Sequence, residues 1–313
     1  MPRTFVVVPQ WQGSLSARAM SHADGAAAIA RELPSRAARI VEVPVEAGEA
    51  LDTGVKRYSA LRRVRERVEL ALEGVDDDVV LVGGDCGAAV AAVGRASRRA
   101  GERLAVLWLD AHPDLHTPDS SQSGAFGGMT LRAIAGDGAA GLALDPGTRV
   151  PPERLVIGGA RSIDVEEAEY AAVHGIPLLT VEDLSDPAAV IGAIEASGAS
   201  ELYVHIDLDV LDPSALAGLS HPQPFGIDVP VLLALLRALA ARFPVPGASI
   251  AGFSPASADA AGDDLTTILR IIGALAPPAP ETPATPPTES DEPEPDAPAQ
   301  PDAPEPDEEG AAR

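Results

Sequence analysis

The feature that most constrains the fold is a regular alternation of short, apolar, β-branched runs with Ala- and Leu-rich segments of helical period. This alternation is typical of βαβ units, in which helices cover both faces of a parallel sheet. It predicts a single α/β domain with a mostly parallel, doubly wound sheet. The predicted strands are Phe5–Val8, Arg39–Val43, Val79–Val82, Leu104–Leu109, Leu155–Ile157, Pro177–Thr180, Leu202–Ile206 and Ala248–Ala251. The predicted helices lie near 24–33, 57–73, 87–100, 164–173, 186–196, 229–242 and 262–275.

The composition changes after residue 276. Residues 277–313 contain twelve prolines and eleven acidic residues against one arginine, with no aromatic or branched aliphatic residue. Such a segment cannot bury enough apolar surface to offset the entropy that ordering would cost. The sequence therefore predicts one domain over 1–276 and a disordered, Pro- and acid-rich tail over 277–313.

The charge and the cysteine content narrow the function classes. The formal net charge of −24 disfavours nucleic acid and anionic membranes, and it favours a small cationic substrate. No uncharged apolar stretch reaches the roughly 18 residues that a membrane helix needs. Cys86 is the only cysteine, so no intramolecular disulfide can form, and a reducing, cytoplasmic location is predicted.

Polar residues follow the predicted strand Leu104–Leu109, at the end of a sheet where α/β proteins bind their ligands. The segment reads Asp110-Ala111-His112-Pro113-Asp114. Residues at i, i+2 and i+4 of an extended chain point to one side, so Asp110, His112 and Asp114 are predicted to converge.

Two further strands end in a similar way. Leu202–Ile206 is followed by Asp207 and Asp209, which again share one face, and Asp212-Pro213 is predicted to end the strand in a turn. Val79–Val82 leads into Gly83-Gly84-Asp85-Cys86, where the glycines permit a close backbone approach. Each motif alone is more typical of a solvated loop. Together, they gather carboxylates that repel one another unless a hard cation such as Mn²⁺ lies between them.

These segments resemble the motifs of the arginase/agmatinase/formimidoylglutamase family, the ureohydrolases. The resemblance rests on Gly83-Gly84-Asp85, on Asp110 to Asp114 and on His205 to Pro213, and it extends over roughly residues 1–275. It implies a three-layer α/β/α sandwich and hydrolysis of a guanidino or formimino C–N bond with two Mn²⁺ ions. It also implies a homo-oligomer, a trimer or a hexamer.

The resemblance assigns roles to individual residues. Asp110 and Asp207 would bridge the two ions, His112 and Asp209 would hold the second ion, and Asp114 would hold the first. Hydroxide supplied by the ion pair would attack the planar carbon, and Asp114 would relay a proton to the leaving amine.

Four positions are implied on the substrate side. Ser123, Asp164 and Glu167 match the family's substrate-binding positions, and His116 lines the same loop as a weaker candidate. Asp164 and Glu167 are equally typical of a helix N-terminus, where an N-cap and first-turn acids stabilise the helix.

Three positions depart from the family pattern inside the same site. Cys86 replaces a histidine ligand of the first ion, Gly127 replaces a proton-shuttling histidine, and Gly252 replaces a glutamate that pairs with the substrate cation. Cys86 is either a thiolate ligand that favours softer ions or a small buried apolar residue. These losses predict a weakened first metal site and remove a general acid/base group that contributes about 10²–10⁴-fold in rate.

Two functions remain open at this point. One is a working hydrolase with an altered metal or substrate. The other is a catalytically impaired relative that keeps partial metal binding and serves a binding or assembly role. If the rest of the site is intact, restoring His at 86 and 127 and Glu at 252 is expected to recover the lost functions.

Overall fold

The sheet has eight parallel strands in the order β2-β1-β3-β8-β7-β4-β5-β6. The computed structural model describes residues 3–276, so the tail predicted for 277–313 lies outside the described residues. The strands are β1 (Arg3–Val8), β2 (Ala38–Ile40), β3 (Asp78–Gly83), β4 (Leu104–Leu109), β5 (Leu155–Gly158), β6 (Leu178–Leu179), β7 (Glu201–Asp207) and β8 (Gly247–Ala251).

Helices cover both faces of this sheet. They are α1 (Ser21–Glu32), α2 (Tyr58–Leu72), α3 (Ala89–Ala100), α4 (Thr130–Ile134), α5 (Val165–His174), α6 (Pro187–Ala196), α7 (Val229–Arg242) and α8 (Ala258–Ala274). One apolar core packs α2, α3 and α4 against one face, and a second packs α1, α6, α7 and α8 against the other. The predicted three-layer α/β/α sandwich is therefore confirmed.

The central strand β4 shows why the alternation in the sequence is so clear. All six of its residues are buried; Val106 and Trp108 face one core, while Leu107 and Leu109 face the other. A strand buried on both faces is an uninterrupted apolar run, because neither face selects polar residues.

All eight predicted strands are present, and the errors are at element ends and in one missed helix. The edge strand β2 ends at Ile40 rather than at Val43, although the N–H of Val41 still donates to the carbonyl of Val7 at 2.8 Å. The short helix α4 was missed, since five residues show no clear period. Helix α8 begins at Ala258, four residues before the predicted start. There, the Ser257 hydroxyl oxygen caps the helix by accepting from the Ala260 N–H at 3.2 Å.

The register of the two central strands positions the site. Leu109 of β4 pairs with Ile206 of β7, so the next residues along each chain, Asp110 and Asp207, emerge side by side at one edge of the sheet. The prediction that Asp212-Pro213 ends the strand was wrong: β7 ends at Asp207, and a tight 3₁₀ turn over Leu208–Val210 follows.

Within residues 3–276, no helix combines the length and the apolar character that crossing a membrane requires.

Candidate active site

A cavity of about 300 Å³ opens at the carboxyl ends of β3, β4 and β7. It brings together nearly all the residues singled out from the sequence. The predicted residues that line it are Cys86, Asp110, His112, Asp114, His116, Ser123, Gly127, Asp164, Glu167, Asp207 and Asp209. Gly252 is not among the lining residues.

One group of donors at the floor of the cavity consists of Asp110, His112 and Asp209. His112 Nδ1 lies 3.3 Å from Asp110 Oδ1 and 3.1 Å from Asp209 Oδ2. Burial opposes a charge on this imidazole, but the two carboxylates outweigh burial and raise the pKa of His112 to about 12. The ring therefore has strong affinity for a positive charge at this position, whether a proton or a metal ion.

The convergence of these side chains was predicted correctly, but its cause was not an extended chain. Strand β4 stops at Leu109, and Asp114 adopts a left-handed backbone with φ +55°. Asp209 is turned toward the site by the 3₁₀ turn, in which its N–H donates to Asp207 Oδ1 at 2.9 Å. Aspartate tolerates the left-handed region better than most residues, because its short polar side chain can make local hydrogen bonds.

Cys86 lies among the carboxylates. Its Sγ is 2.9 Å from Asp207 Oδ2 and 3.8 Å from Asp110 Oδ2. Burial, together with the charge of Asp207, raises the pKa of the Cys86 thiol. Burial and the nearby Asp209 likewise raise the pKa of Asp207, to about 7. The thiol therefore donates to Asp207 when no cation is bound.

Asp110 belongs to two potential ligand groups. The donor atoms of Asp110, His112 and Asp209 lie within 4.8 Å of one another, and so do those of Asp110, Cys86 and His205. Asp114 lies close by, with a buried Oδ2 that has no hydrogen-bond partner. Burial and the charge of Asp110 raise the pKa of Asp114 well above its ordinary value. Asp110 is thus a member of both donor groups.

Asp85 has a structural role beside the site. Its Oδ1 accepts from Gln10 Nε2 at 2.7 Å and from the Gly87 N–H at 3.0 Å, and its Oδ2 accepts from the Gly13 N–H at 2.8 Å. These contacts fasten the loop after β1 to the end of β3. A side chain at Gly84 would meet the Gln10 carbonyl oxygen at 2.0 Å, so the close approach predicted for this glycine is confirmed.

The substrate-side residues form a second polar group on the cavity wall. His116 Nε2 lies 3.0 Å from Asp164 Oδ2, and the Asp164 side chain keeps 66% of its surface exposed. Glu167 is buried, and its two oxygens accept from the backbone N–H groups of Leu115 and Asp164 at 3.0 and 3.1 Å. The pair therefore stabilises the start of α5 and also lines the cavity, and its role in substrate binding stays a prediction.

Ser123 and Gly127 also line the cavity. Ser123 Oγ accepts from the Ala125 N–H at 3.1 Å and lines the cavity. Gly127 also lines the cavity, and a Cβ there would come no closer than 3.3 Å to the Gly13 carbonyl oxygen. A side chain at Gly127 would thus need only a small adjustment of the neighbouring loop.

Gly252 differs from Gly127. Its φ is +88°, and a Cβ there would lie 2.2 Å from Asp207 Oδ1. A glutamate would strain the backbone and displace a candidate metal ligand. The expectation that Gly252→Glu restores function is therefore wrong for this backbone.

Three histidines around the site were not predicted as site residues from the sequence, although His205 begins one of the family-like motifs. His22, from α1, lines the cavity, is only 2% exposed, and has two ring nitrogens without a partner. His221 also lines the cavity, with its ring edge-on to His112 at 6.4 Å between centroids. His205 lies in β7, with a ring nitrogen within 4.8 Å of Cys86 Sγ. For His205 the local signal was an isolated histidine within an apolar strand, which is more typical of a core position.

The comparisons with known proteins agree with this geometry. The model of the arginase family matches residues 14–274. An arginase from Staphylococcus aureus strain MRSA252 is 28% identical over 191 residues, which are 58% of this chain and 62% of that protein. The chain thus spans less than two thirds of the length of that relative. An N(omega)-hydroxy-L-arginine amidinohydrolase from Streptomyces lavendulae is 27% identical over 83% of this chain and 93% of its own length.

The fold has solved counterparts as well. The crystal structure of an arginase from Bacillus subtilis strain 168 superposes with a TM-score of 0.76 at 22% identity, covering 88% of this chain and 98% of that one. At this identity, the likeness establishes the fold alone. Since the family model covers most of the chain, and the motifs that define the cavity fall within the matched residues, this protein belongs to the arginase family of hydrolases.

Proposed function

We propose that this protein is a metal-dependent hydrolase that cleaves a C–N bond in the guanidino or formimino group of a small cationic substrate. The observation that carries the proposal is the position of Asp110, which two donor groups share at the floor of an acidic cavity. A cavity of about 300 Å³ suits a small molecule.

The donor set fits divalent ions. Asp110, His112 and Asp209 offer an imidazole and carboxylates, the ligands that suit a hard ion such as Mn²⁺, and Asp207 and Asp114 add two more carboxylates. Bound ions would supply hydroxide at neutral pH by lowering the pKa of water. The four acids and His112 would hold the ions at the cavity floor.

Asp114 is suited to handle the proton. Burial and Asp110 raise its pKa, and its Oδ2 is free of hydrogen bonds, so this carboxyl can accept a proton and pass it to the leaving amine. Its left-handed backbone turns the side chain back toward the other ligands instead of continuing away from the sheet.

The cavity wall favours a cation. Asp164 is exposed at the mouth and is held by His116, whereas Glu167 is committed to backbone N–H groups. Asp164 is therefore the carboxylate available to pair with an ammonium or amino-acid group of the substrate. The acidic floor disfavours anionic substrates for the same electrostatic reason.

The direct test is turnover by metal-loaded protein. The full chain is stripped with chelator and reloaded separately with Mn²⁺, Zn²⁺ and Co²⁺. Urea or ammonia release is then measured with arginine, agmatine, guanidinobutyrate, formiminoglutamate and Nω-hydroxyarginine. We expect hydrolysis of at least one of these compounds by a loaded form and none by the stripped form. A folded, metal-loaded protein that is inert on the whole panel would contradict the proposal and favour the binding or assembly role.

Replacing Asp164 by asparagine is expected to raise the KM for the best substrate about 10-fold while changing kcat little. A charge-assisted hydrogen bond contributes about 1.5–3 kcal/mol, and this contact lies away from the reacting carbon. Asparagine is also a good N-cap, so α5 should keep its start. The matched control is Glu166→Gln, an exposed acid in the same first turn that does not line the cavity. Equal KM values for the two variants would contradict this role of Asp164.

A further inference from the structure

His205 is a buried histidine with an unused ring nitrogen. It lies two residues before Asp207 in β7 and is 0% exposed. Its Nδ1 is 2.7 Å from Ser249 Oγ, and its ring stacks on Trp108 with 3.6 Å between centroids. Its Nε2 is buried and has no hydrogen-bond partner. Leaving such a buried group unpaired destabilises the folded chain, so its retention calls for a partner.

The contacts of His205 fix the ring in the form that metal ligands adopt. If Nδ1–H donates to the Ser249 hydroxyl, Nε2 carries the lone pair. Histidine ligands in metal sites are held in this way, with one nitrogen hydrogen-bonded and the other free to coordinate. The stacked Trp108 prevents the ring from rotating away.

His205 lies close to two donors of the cavity floor. A ring nitrogen of His205, Cys86 Sγ and a carboxylate oxygen of Asp110 all lie within 4.8 Å of one another. Each comes from a different strand end: Cys86 follows β3, Asp110 follows β4, and His205 lies within β7. Three separate parts of the chain thus place one sulfur, one nitrogen and one oxygen donor around a common point, beside Asp207 Oδ2.

We propose that Cys86, His205 and Asp110 form a binding site for a divalent ion of borderline softness, Zn²⁺ or its substitute Co²⁺. In this site, His205 supplies an imidazole ligand. The family pattern has that ligand at position 86, where this chain has cysteine. Thiolate and imidazole favour Zn²⁺ over Mn²⁺, and three protein donors leave a fourth position for water from the cavity. The cysteine is then a ligand rather than a small core residue. The two neighbouring donor groups differ in ion preference, since the group with His112 has only nitrogen and oxygen donors.

This inference rests on the metal dependence of the proposed function. It specifies which ion the donor group with Cys86 and His205 binds. Its test reads the ion itself rather than turnover, so the two proposals can fail separately. Sulfur ligation in a protein that is inert on the substrate panel would contradict the function and support this site. Turnover with Mn²⁺, without sulfur ligation in any loaded form, would support the proposed function and contradict this site.

The experiment is X-ray absorption at the zinc edge of the full-length protein loaded with one equivalent of Zn²⁺, without any substitution. We expect one sulfur neighbour at about 2.3 Å, together with nitrogen and oxygen neighbours at about 2.0–2.2 Å. The Co²⁺ form should show a sulfur-to-cobalt charge-transfer band. A first shell of nitrogen and oxygen alone would overturn the proposal.

Three variants assign the donors. Cys86→Ser is close to isosteric and is expected to remove the sulfur neighbour and weaken Zn²⁺ binding at least about 10-fold, with a much smaller change for Mn²⁺. His205→Asn should weaken Zn²⁺ binding to a similar degree. The matched control is His174→Asn, an exposed histidine on α5, which should change neither affinity. Parallel losses of Zn²⁺ and Mn²⁺ affinity in Cys86→Ser would overturn the assignment. If His205→Asn does not fold, the absorption data of the parent and Cys86→Ser still decide the outcome.

Discussion

Replacing Asp207 by asparagine should nearly abolish firm binding of divalent ions and lower hydrolysis by more than about 100-fold. This carboxylate contacts both halves of the floor: Oδ2 lies 2.9 Å from Cys86 Sγ, and Oδ1 accepts from the Asp209 N–H at 2.9 Å. Loss of an outer partner of a ligand already costs about 10–100-fold in metal affinity or activity, and loss of a ligand costs more. Asparagine keeps the shape and can still accept from Asp209, so the fold should be retained.

The measurement is metal content by elemental analysis after dialysis, together with turnover on the best substrate. The matched control is Asp212→Asn, a carboxylate five residues along the same segment that lies outside the cavity and only organises its own turn through Ser214 and Phe225. This control should bind metal and react like the parent. A fully loaded, active Asp207→Asn variant would show that the ions are held elsewhere.

Much of this architecture could be predicted from the sequence, because the central strands carry a strong local signal. Strand β4 has the predicted bounds, since a strand buried on both faces is a continuous apolar run with polar residues at its end. The ligand candidates Asp110 and Asp207 were found because parallel strands bring their carboxyl ends to one edge. Neither inference needed to know which strands are neighbours.

The parts that could not be predicted depend on contacts between distant segments. His205 looks like a core residue of β7, and Cys86 comes close to its ring only because a single strand, β8, separates β3 from β7 in the sheet. Position 252 has no room for a side chain because of its φ of +88° and the nearby Asp207 side chain. Neither feature can be read from the local sequence. Asp114 was placed correctly for an incorrect reason, since a left-handed turn and not an extended strand points it inward.

The acidic floor has a consequence for stability in the metal-free protein. Burial raises the pKa of Asp207 to about 7 and that of Asp114 well above its usual range, and the neighbouring carboxylates raise that of His112 to about 12. His22 and His205 have pKa values lowered by burial, to about 4 and about 3, so both are neutral in the folded and unfolded chain above about pH 6.5. Above that pH, only groups with raised pKa values still hold protons that the unfolded chain has released.

Stability of the metal-free protein should therefore fall as the pH rises from about 6.5 to 8.5. In this window the folded state binds more protons than the unfolded state, and each such proton lowers the free energy of unfolding by about 1.4 kcal/mol per pH unit. His112 alone gives a loss of about 2 kcal/mol, or on the order of 5 °C in melting temperature for a domain of this size, and the raised pKa of Asp114 acts in the same direction. Thermal melts in chelator across this pH range measure it.

Two variants and one addition test the cause of that fall. Metal-free Asp114→Asn should melt above the parent at pH 8.5 and close to it near pH 5, because asparagine removes the charge that the folded state cannot solvate and also tolerates a φ of +55°. Asp119→Asn, which replaces an exposed acid in the same loop, should have the melting temperature of the parent at every pH.

Adding a divalent ion should remove the decline in melting temperature, since ligands are deprotonated in the bound state and binding stabilises the folded chain. A melting temperature of the metal-free parent that stays level or rises over this range would contradict the assignment of these buried groups. A decline that persists in Asp114→Asn at full size would place its source in other residues, with His112 the first to examine.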